Sequence, residues 1–482
     1  MELTKVMKVL FAAAEGAPFA KSGGLGDVIG SLPRALQAKK VEARVIMPLY
    51  GNVPAAYRRK MKELGALTVP VSWRKQYCGI NALHFEGITW YFLDNEYYFK
   101  REGLYGYGDD AERFAFFSRA VLESLPFIGF RPSVLHCHDW HTGLVSVYLR
   151  AFYSRQPFYS SLKTVFTIHN IAYQGVFPAW MLGDVVGLKD DYYHAEGLRF
   201  FDCINYLQGG IIFSDRLTTV SKTYAEEIMT PAYGENMDNV LRKRKDKLCG
   251  IINGIDGGSY NPRTDPHIYC NYRCSLRKKG QNKMRLQQEL NLPVRERIPM
   301  LAVVSRLAEH KGINLLLALL PDLLKKEIQL VVLGTGDEAV ERHLSAAAGM
   351  YPARMAVRNS FDESLARRIY AGSDMLLMPS RTEPCGLSQL IALRYGTIPV
   401  VRETGGLKDT VRPYNEVTGE GNGFCFGEYS ADALRDAVEK ALEVYKRREV
   451  WAGIVKNAVQ ADHSWDRSAG EYVKLYRELA DW

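Results

Sequence analysis

Two successive series of short apolar runs, each run followed by an amphipathic stretch, limit this chain to few architectures. The first series comprises Met7 to Ala14, Ala43 to Met47, Val134 to Cys137, Thr164 to Ile168 and Arg216 to Val220. Between them Phe114, Phe117, Val121 and Leu125 recur at helical spacing. The second comprises Met300 to Ser305, Gln329 to Leu333, Met375 to Met378 and Ile398 to Val401. Near-continuously apolar strands alternating with helices predict parallel sheets covered on both faces. Two series predict two doubly wound, Rossmann-like α/β domains. The 482-residue length agrees, because one core stops growing beyond roughly 250–300 residues. The break falls at Asn253-Gly254-Ile255-Asp256-Gly257-Gly258, followed by a polar stretch, 260–280, without clear periodicity. From Ala431 onward the pattern is helical, with Ser464-Trp465 marking a kink or restart. The predicted organisation is therefore one domain over 1–250, a second over 251–463, and a helix over 464–482 packing back on the first. Sheets of this kind bind ligands beyond the carboxyl ends of their strands. Two of them facing each other direct attention to a deep interdomain cleft and to the loops that directly follow strands.

Composition removes several classes. Apolar residues at 47% and charged residues at 24% are ordinary for a soluble globular protein. The best candidate for a membrane span, Leu315 to Leu320, is far below the roughly 18 apolar residues required. Lys5 and Lys8 precede an apolar run, but Glu15 ends it too soon for a secretory signal, so Val9 to Ala14 reads as a first strand. Eight scattered cysteines read as reduced cytosolic thiols, hence a cytoplasmic protein without a disulfide framework. Cys270 and Cys274 have no second pair at zinc-finger spacing. The net charge of +8 suits an acidic partner such as nucleic acid, a membrane face or a phosphate-bearing substrate. Its densest run, Arg242 to Lys247, lacks interleaved aromatics and reads as a solvated helix or loop, not a nucleic-acid surface.

Four loops carry candidate chemistry. Lys21-Ser22-Gly23-Gly24-Leu25-Gly26-Asp27 follows the first strand and opens a helix, where glycines admit an anion and the helix N-terminus favours it. Ile29 stands where a dinucleotide fingerprint needs its third glycine. Gly334-Thr335-Gly336-Asp337-Glu338-Ala339 does match that fingerprint, but Arg354 to Arg358 offers no ribose-binding acid, so the loop is retained as a phosphate contact. Arg306 and Lys311 stand five apart at a strand mouth and helix start, where cations oppose the macrodipole and point to an anionic ligand. Glu383, within Ser380-Arg381-Thr382-Glu383-Pro384-Cys385-Gly386-Leu387-Ser388, ends another strand. In His136-Cys137-His138-Asp139-Trp140-His141, alternation sends His136 and His138 to one face and Cys137 to the other, which favours a structural or substrate-polar role over zinc. His169-Asn170 ends the next strand on the same rim, and a polar rim suits a polyhydroxylated ligand. No Asp-x-Asp occurs, so a metal clamp on a diphosphate has no candidate.

Taken in order, these motifs closely resemble the bacterial glycogen synthases and plant starch synthases, a GT-B-fold family. The resemblance runs the whole length: Lys21 to Asp27, His138 to His141, His169 to Gly175, Ile252 to Asp256, Ser305 to Leu307 with Lys311-Gly312, Ser380 to Leu387 and Gly405 to Thr410. It implies transfer of glucose from ADP-glucose (alternatively UDP-glucose) to the non-reducing 4-hydroxyl of an α-1,4-glucan such as glycogen. The anomeric configuration is retained, and neither cofactor nor metal is needed. Catalytic roles would fall to Glu383, His169, Lys311, Arg306 and Asp139. Lys21, Gly23, Gly24, Asn253, Gly334, Gly336, Cys385, Gly386, Leu387 and Ser388 would join them around the donor, with Phe361 against the nucleobase. Asp27, Asp139, His169 and Asn170 would line the acceptor side. Related retaining enzymes often carry Glu-x7-Glu, but Ile391 stands eight residues after Glu383. No second acid is therefore available for a two-carboxylate double displacement, and same-face attack is expected, the departing phosphate taking the acceptor proton. The competing readings each need something missing. A lipid glycosyltransferase needs a basic amphipathic helix with exposed aromatics. An epimerase or oxidoreductase needs the ribose acid and Tyr-x-x-x-Lys. A non-catalytic glucan binder would have lost Lys21, Arg306, Lys311 or Glu383.

Overall fold

The computed structural model describes residues 6–480. The chain divides into two units, one taking residues up to Asn253 together with those from Trp465 onward, the other Gly254–Ser464. The break therefore lies inside the Asn253–Gly258 segment.

The sheet of the first unit runs, from edge to edge, Leu248–Gly250, Arg216–Thr219, Lys163–Ile168, Val134–His138, Lys8–Ala12, Glu42–Pro48, Ile88–Asp94, Arg74–Phe85 and Lys62–Val71. Every pairing from Leu248–Gly250 through Ile88–Asp94 is parallel, and the last two strands add an antiparallel meander. Strand order reverses between Lys8–Ala12 and Val134–His138. The second unit repeats the plan with six parallel strands: Met355–Arg358, Gln329–Leu333, Met300–Val304, Met375–Met378, Ile398–Arg402 and Phe424–Phe426. Numbered along the chain this is 3-2-1-4-5-6, the doubly wound order, with its reversal between Met300–Val304 and Met375–Met378. Alternate residues feed two cores. Leu301, Val303, Leu330 and Val332 pack with helices Ile313–Leu323 and Ala431–Lys446, whereas Met300, Ala302, Val331 and Leu333 pack with Leu276–Glu289 and Glu363–Gly372. Burial of both faces is why these strands read as unbroken apolar runs.

Several elements depart from the expectations, among them the parallel strands Ile88–Asp94, Leu248–Gly250, Met355–Arg358 and Phe424–Phe426, which join the nine expected. The meander strands Lys62–Val71 and Arg74–Phe85 are solvated along much of their length, so they carry no continuous apolar run. Helix Leu276–Glu289 begins inside the stretch that showed no periodicity, and its buried face is mostly polar: Lys279, Asn282, Lys283 and Gln287 beside Leu286. The Lys279 ammonium donates to the carbonyls of Tyr370, Ala371 and Tyr395 and to Thr397 Oγ1, while Lys283 pairs with Asp374 at 2.6 Å. Fully satisfied buried polar groups hid the helical period. The run Arg242 to Lys247 is only partly solvated, since Arg244 turns inward and donates to the Ser214 carbonyl at 2.6 Å. The C-terminal pattern resolves into Ala431–Lys446, Arg448–Gln460 and Trp465–Leu479, and the last helix belongs to the first unit. It buries Trp465, Ala469, Tyr472 and Tyr476, and Asp466 pairs with Lys39 at 2.9 Å. Among the described residues no helix is long and apolar enough to cross a membrane.

Candidate active site

Each sheet concentrates chemistry in the two loops that flank its reversal point. In the first unit, strand Lys8–Ala12 runs out to Glu15, whose buried carboxylate is wrapped by the glycine loop. Ser22 N–H donates to it at 2.6 Å, Ser22 Oγ–H at 2.7 Å and Gly23 N–H at 3.2 Å, and the Tyr105 hydroxyl also donates. The loop does nest an anion, but that anion is the chain's own Glu15 carboxylate, to which the Ser22 and Gly23 amides are committed. A Cβ at Gly23 or Gly24 would meet nothing within 4 Å, so that face is open. Lys21 pairs with Asp27 at 2.6 Å. Asp27, expected on the acceptor side, is therefore bound to the loop's own cation.

The neighbouring strand Val134–His138 delivers Asp139 in a backbone conformation (φ 57°, ψ 177°) that side chains rarely adopt, a strain worth about 1–3 kcal/mol and typical of functional positions. Its Oδ1 accepts the His169 N–H at 2.7 Å, tying two strand ends together. Burial raises its carboxyl to about 7, against the pull of the His169 and Asn170 amides. His136 and His138 do share a face, with ring centroids 4.2 Å apart. His136 bonds Tyr476 and Thr167 through its two nitrogens at 2.7 and 2.6 Å, and His138 Nδ1 meets His169 Nε2 at 2.9 Å. Burial keeps these rings neutral: His136 and His138 lie well below the usual histidine range, and His141 and His169 fall to about 3. Asn170 Oδ1 accepts the Ala172 N–H at 3.0 Å. Buried Asn253, at the end of this unit, has an Oδ1 without a protein partner.

In the second unit, strand Met300–Val304 leads to exposed Arg306 and then to Lys311, in a short 3-10 turn, Glu309–Lys311, closed by Gly312 at φ 72°. Strand Met375–Met378 leads to Glu383, 6% exposed. Lys311 Nζ bridges both Glu383 carboxylate oxygens at 2.8 and 2.7 Å, and Ser380 Oγ donates to one of them at 3.0 Å. A third loop supports this pair from behind. A Cβ at Gly405 (φ 44°) would lie 2.0 Å from the Glu383 carbonyl oxygen, which instead accepts the Gly406 N–H at 3.1 Å. Burial and the cations Lys311 and Arg306 depress His310. Cys385 is buried, Gly386 takes φ 73°, and Ser388, just past Leu387, opens helix Ser388–Arg394 with its hydroxyl 3.4 Å from the Val304 carbonyl. Phe361 is 87% exposed in the loop between strand Met355–Arg358 and helix Glu363–Gly372.

The glycine loop at Gly334 needs a correction. A Cβ at Gly334 would sit 1.8 Å from the Ser305 carbonyl oxygen, and one at Gly336 2.2 Å from that of Leu307. The Gly334 amide donates to Arg358 O at 3.1 Å and that of Gly336 to Glu341 Oε1 at 2.8 Å. These amides are committed to protein acceptors. The glycines let this loop pack against the one bearing Arg306, and a phosphate contact through them has no donor to use.

Residues 8–243 match the family model of the starch synthase catalytic domain, and residues 286–457 that of the glycosyl transferases group 1. The glycogen synthase of Desulforamulus reducens is 53% identical across 98% of this chain and 99% of its own. That of Geobacillus thermodenitrificans is 49% identical across 98% of each. This chain belongs to the glycogen and starch synthase family. The synthase shares its GT-B fold with the catalytic domain of Arabidopsis thaliana starch synthase IV, solved with ADP and acarbose, at a TM-score of 0.92 and 34% identity over 99% of this chain and 100% of that one. A sucrose-phosphate synthase from Thermosynechococcus elongatus, at 0.61 and 18% identity, shares the fold alone. Sequence reasoning about this synthase passed over Glu15, which served only to end an apolar run, and Tyr105. A carboxylate directly after a strand and just ahead of a glycine loop was the available signal.

Proposed function

We propose that this synthase transfers glucose from ADP-glucose to the terminal 4-hydroxyl of an α-1,4-glucan in the cytoplasm, retaining configuration and using no metal. The observation that carries the reading is the Lys311–Glu383 pair, a buried carboxylate clamped by a cation where a doubly wound sheet reverses. Relatives named glycogen synthase and a structural neighbour holding ADP and acarbose support it. In this reading Arg306, Lys311 and Lys21 hold the donor diphosphate, and Phe361 stacks on the base. Glu383 holds the glucose, with Cys385, Gly386, Leu387 and Ser388 forming its loop. Asp139, His169, Asn170 and Asn253 belong to the sugar side.

The C1–O bond breaks with its electron pair leaving on the diphosphate, where fixed cations stabilise the growing charge. The acceptor oxygen bonds C1 on the same face, and its proton passes to the departing phosphate oxygen. Lys311 and Ser380 both draw on the Glu383 carboxylate, which weakens it as a nucleophile and suits it to stabilising positive charge on the sugar. Offering glycogen with ADP-glucose and with UDP-glucose tests the proposal. Faster α-1,4 extension from ADP-glucose is expected. Failure of both donors, or a β-linked product, refutes it.

A further inference from the structure

The buried pair formed by His138 and His169 has only two possible proton arrangements, and their surroundings distinguish them. Neutral imidazole carries one N–H and one bare nitrogen. His138 Nδ1 and His169 Nε2 lie 2.9 Å apart and therefore share a single proton. If His169 Nε2 supplied it, His138 would carry its own proton on Nε2. That atom is fully buried and has no hydrogen-bond partner. Its ring is walled by Phe11, stacked at 5.7 Å between centroids, and by His136 at 4.2 Å, whose two nitrogens are already committed to Tyr476 and Thr167. A buried N–H without an acceptor is rarer than a buried acceptor left under-satisfied. If His138 Nδ1 supplies the shared proton instead, its Nε2 is only a bare lone pair, and the remaining N–H of the pair sits on half-buried His169, whose Nδ1 is not one of the buried atoms left without a partner.

We infer that His138 is a positioning residue that holds His169 in the Nδ1–H tautomer, so that His169 presents a hydrogen-bond donor to the sugar side. The consequence for the reaction rests on the glucosyltransfer reading. A donor at Nδ1 binds an oxygen, either a hydroxyl of the donor glucose or a phosphoryl oxygen of its leaving group, and takes no proton from the acceptor. The general-base role that a histidine at a reaction centre invites is thereby assigned away from His169. Burial, which holds both rings neutral, acts in the same direction. The column continues through His136 to Tyr476 on the C-terminal helix, so the scaffold behind the pair is anchored by an element from the far end of the chain.

The test uses the full chain with 15N-labelled histidine, the rings assigned through His138→Asn and His169→Gln. At neutral pH long-range 1H–15N spectra should show a protonated Nδ1 and a bare Nε2 on His169. A protonated Nε2 overturns the inference, whatever the enzyme transfers. Kinetics supply a second arm. His138→Asn keeps an N–H where Nδ1–H stood and should retain kcat within about threefold, whereas His138→Leu removes the donor and should lower kcat about 10- to 100-fold with little change in donor KM. Equal losses in the two variants, with both folded, count against positioning. A correct tautomer in a protein that transfers glucose from neither nucleotide sugar would leave this inference standing and sink the proposed function instead.

Discussion

Lys311 holds both oxygens of Glu383, at 2.8 and 2.7 Å, so these two residues act as one unit. Removing the charge from the carboxylate while keeping its shape should therefore affect the transition state more than binding. Glu383→Gln is expected to lower kcat about 100- to 1,000-fold with a modest change in donor KM. Intact mass measured after quenching with donor should show no glucosyl adduct, and an adduct on Glu383 turning over at the catalytic rate would overturn same-face attack. Asp139 is the second residue whose environment sets an observable. Burial raises its carboxyl to about 7, well above the roughly 3.9 of an unfolded aspartate. The folded chain thus holds that proton more tightly than the unfolded chain, and the neutral form contributes stability that is complete below about pH 4. As pH climbs to about 7 this contribution is lost, at up to about 1.4 kcal/mol per unit. Asp139→Asn does not titrate, so its unfolding free energy relative to wild type should rise through that window and level off above it. Parallel denaturation curves across pH 4–8 would show that the carboxyl is not buried neutral.

At the scale of elements, the site is assembled where loops press backbone against backbone. Gly405 lies under Glu383 with a positive φ and room for no Cβ, while Gly23 faces open space. These two glycines should respond oppositely to the same substitution. Gly405→Ala is expected to cost about 2 kcal/mol or more of stability and to displace the Glu383 loop, lowering kcat. Gly23→Ala should leave the melting temperature within a degree or two and weaken donor affinity, since its Cβ would project into the open face of the nest. Thermal melts and donor KM values for both variants check this, and a Gly23→Ala enzyme with unchanged KM would remove the nest from the donor site.

For the whole molecule, the proposed reaction assigns the electrostatic work of leaving-group departure to side-chain cations such as Arg306 and Lys311. Among the described residues no group of three or more His, Cys, Asp or Glu is arranged to hold a metal ion. Because the proposed reaction gives that charge to side-chain cations, activity should survive exhaustive chelation. A rate lost to chelator and restored by magnesium or manganese would show that side-chain cations are not sufficient.

The doubly wound domains, nine of the thirteen described parallel strands and the loops with candidate chemistry were legible in the residues, because helical and strand periodicities and turn residues are local properties of the chain. The polar-faced helix Leu276–Glu289 and the solvated meander were not, since their buried positions follow from hydrogen-bond partners elsewhere in the unit. What each site residue touches was likewise beyond local pattern. Lys311 meets Glu383 across 72 residues, Tyr105 meets Glu15 across 90, and Tyr476 returns across 340 to His136. The sequence by itself determined the two-domain plan, the family and the loops that carry the candidate residues. Only the tertiary structure decided which charges are already paired, which glycines serve packing and which carboxyl burial pushes up, because pairing and burial depend on strand order bringing distant loops to one edge of a sheet.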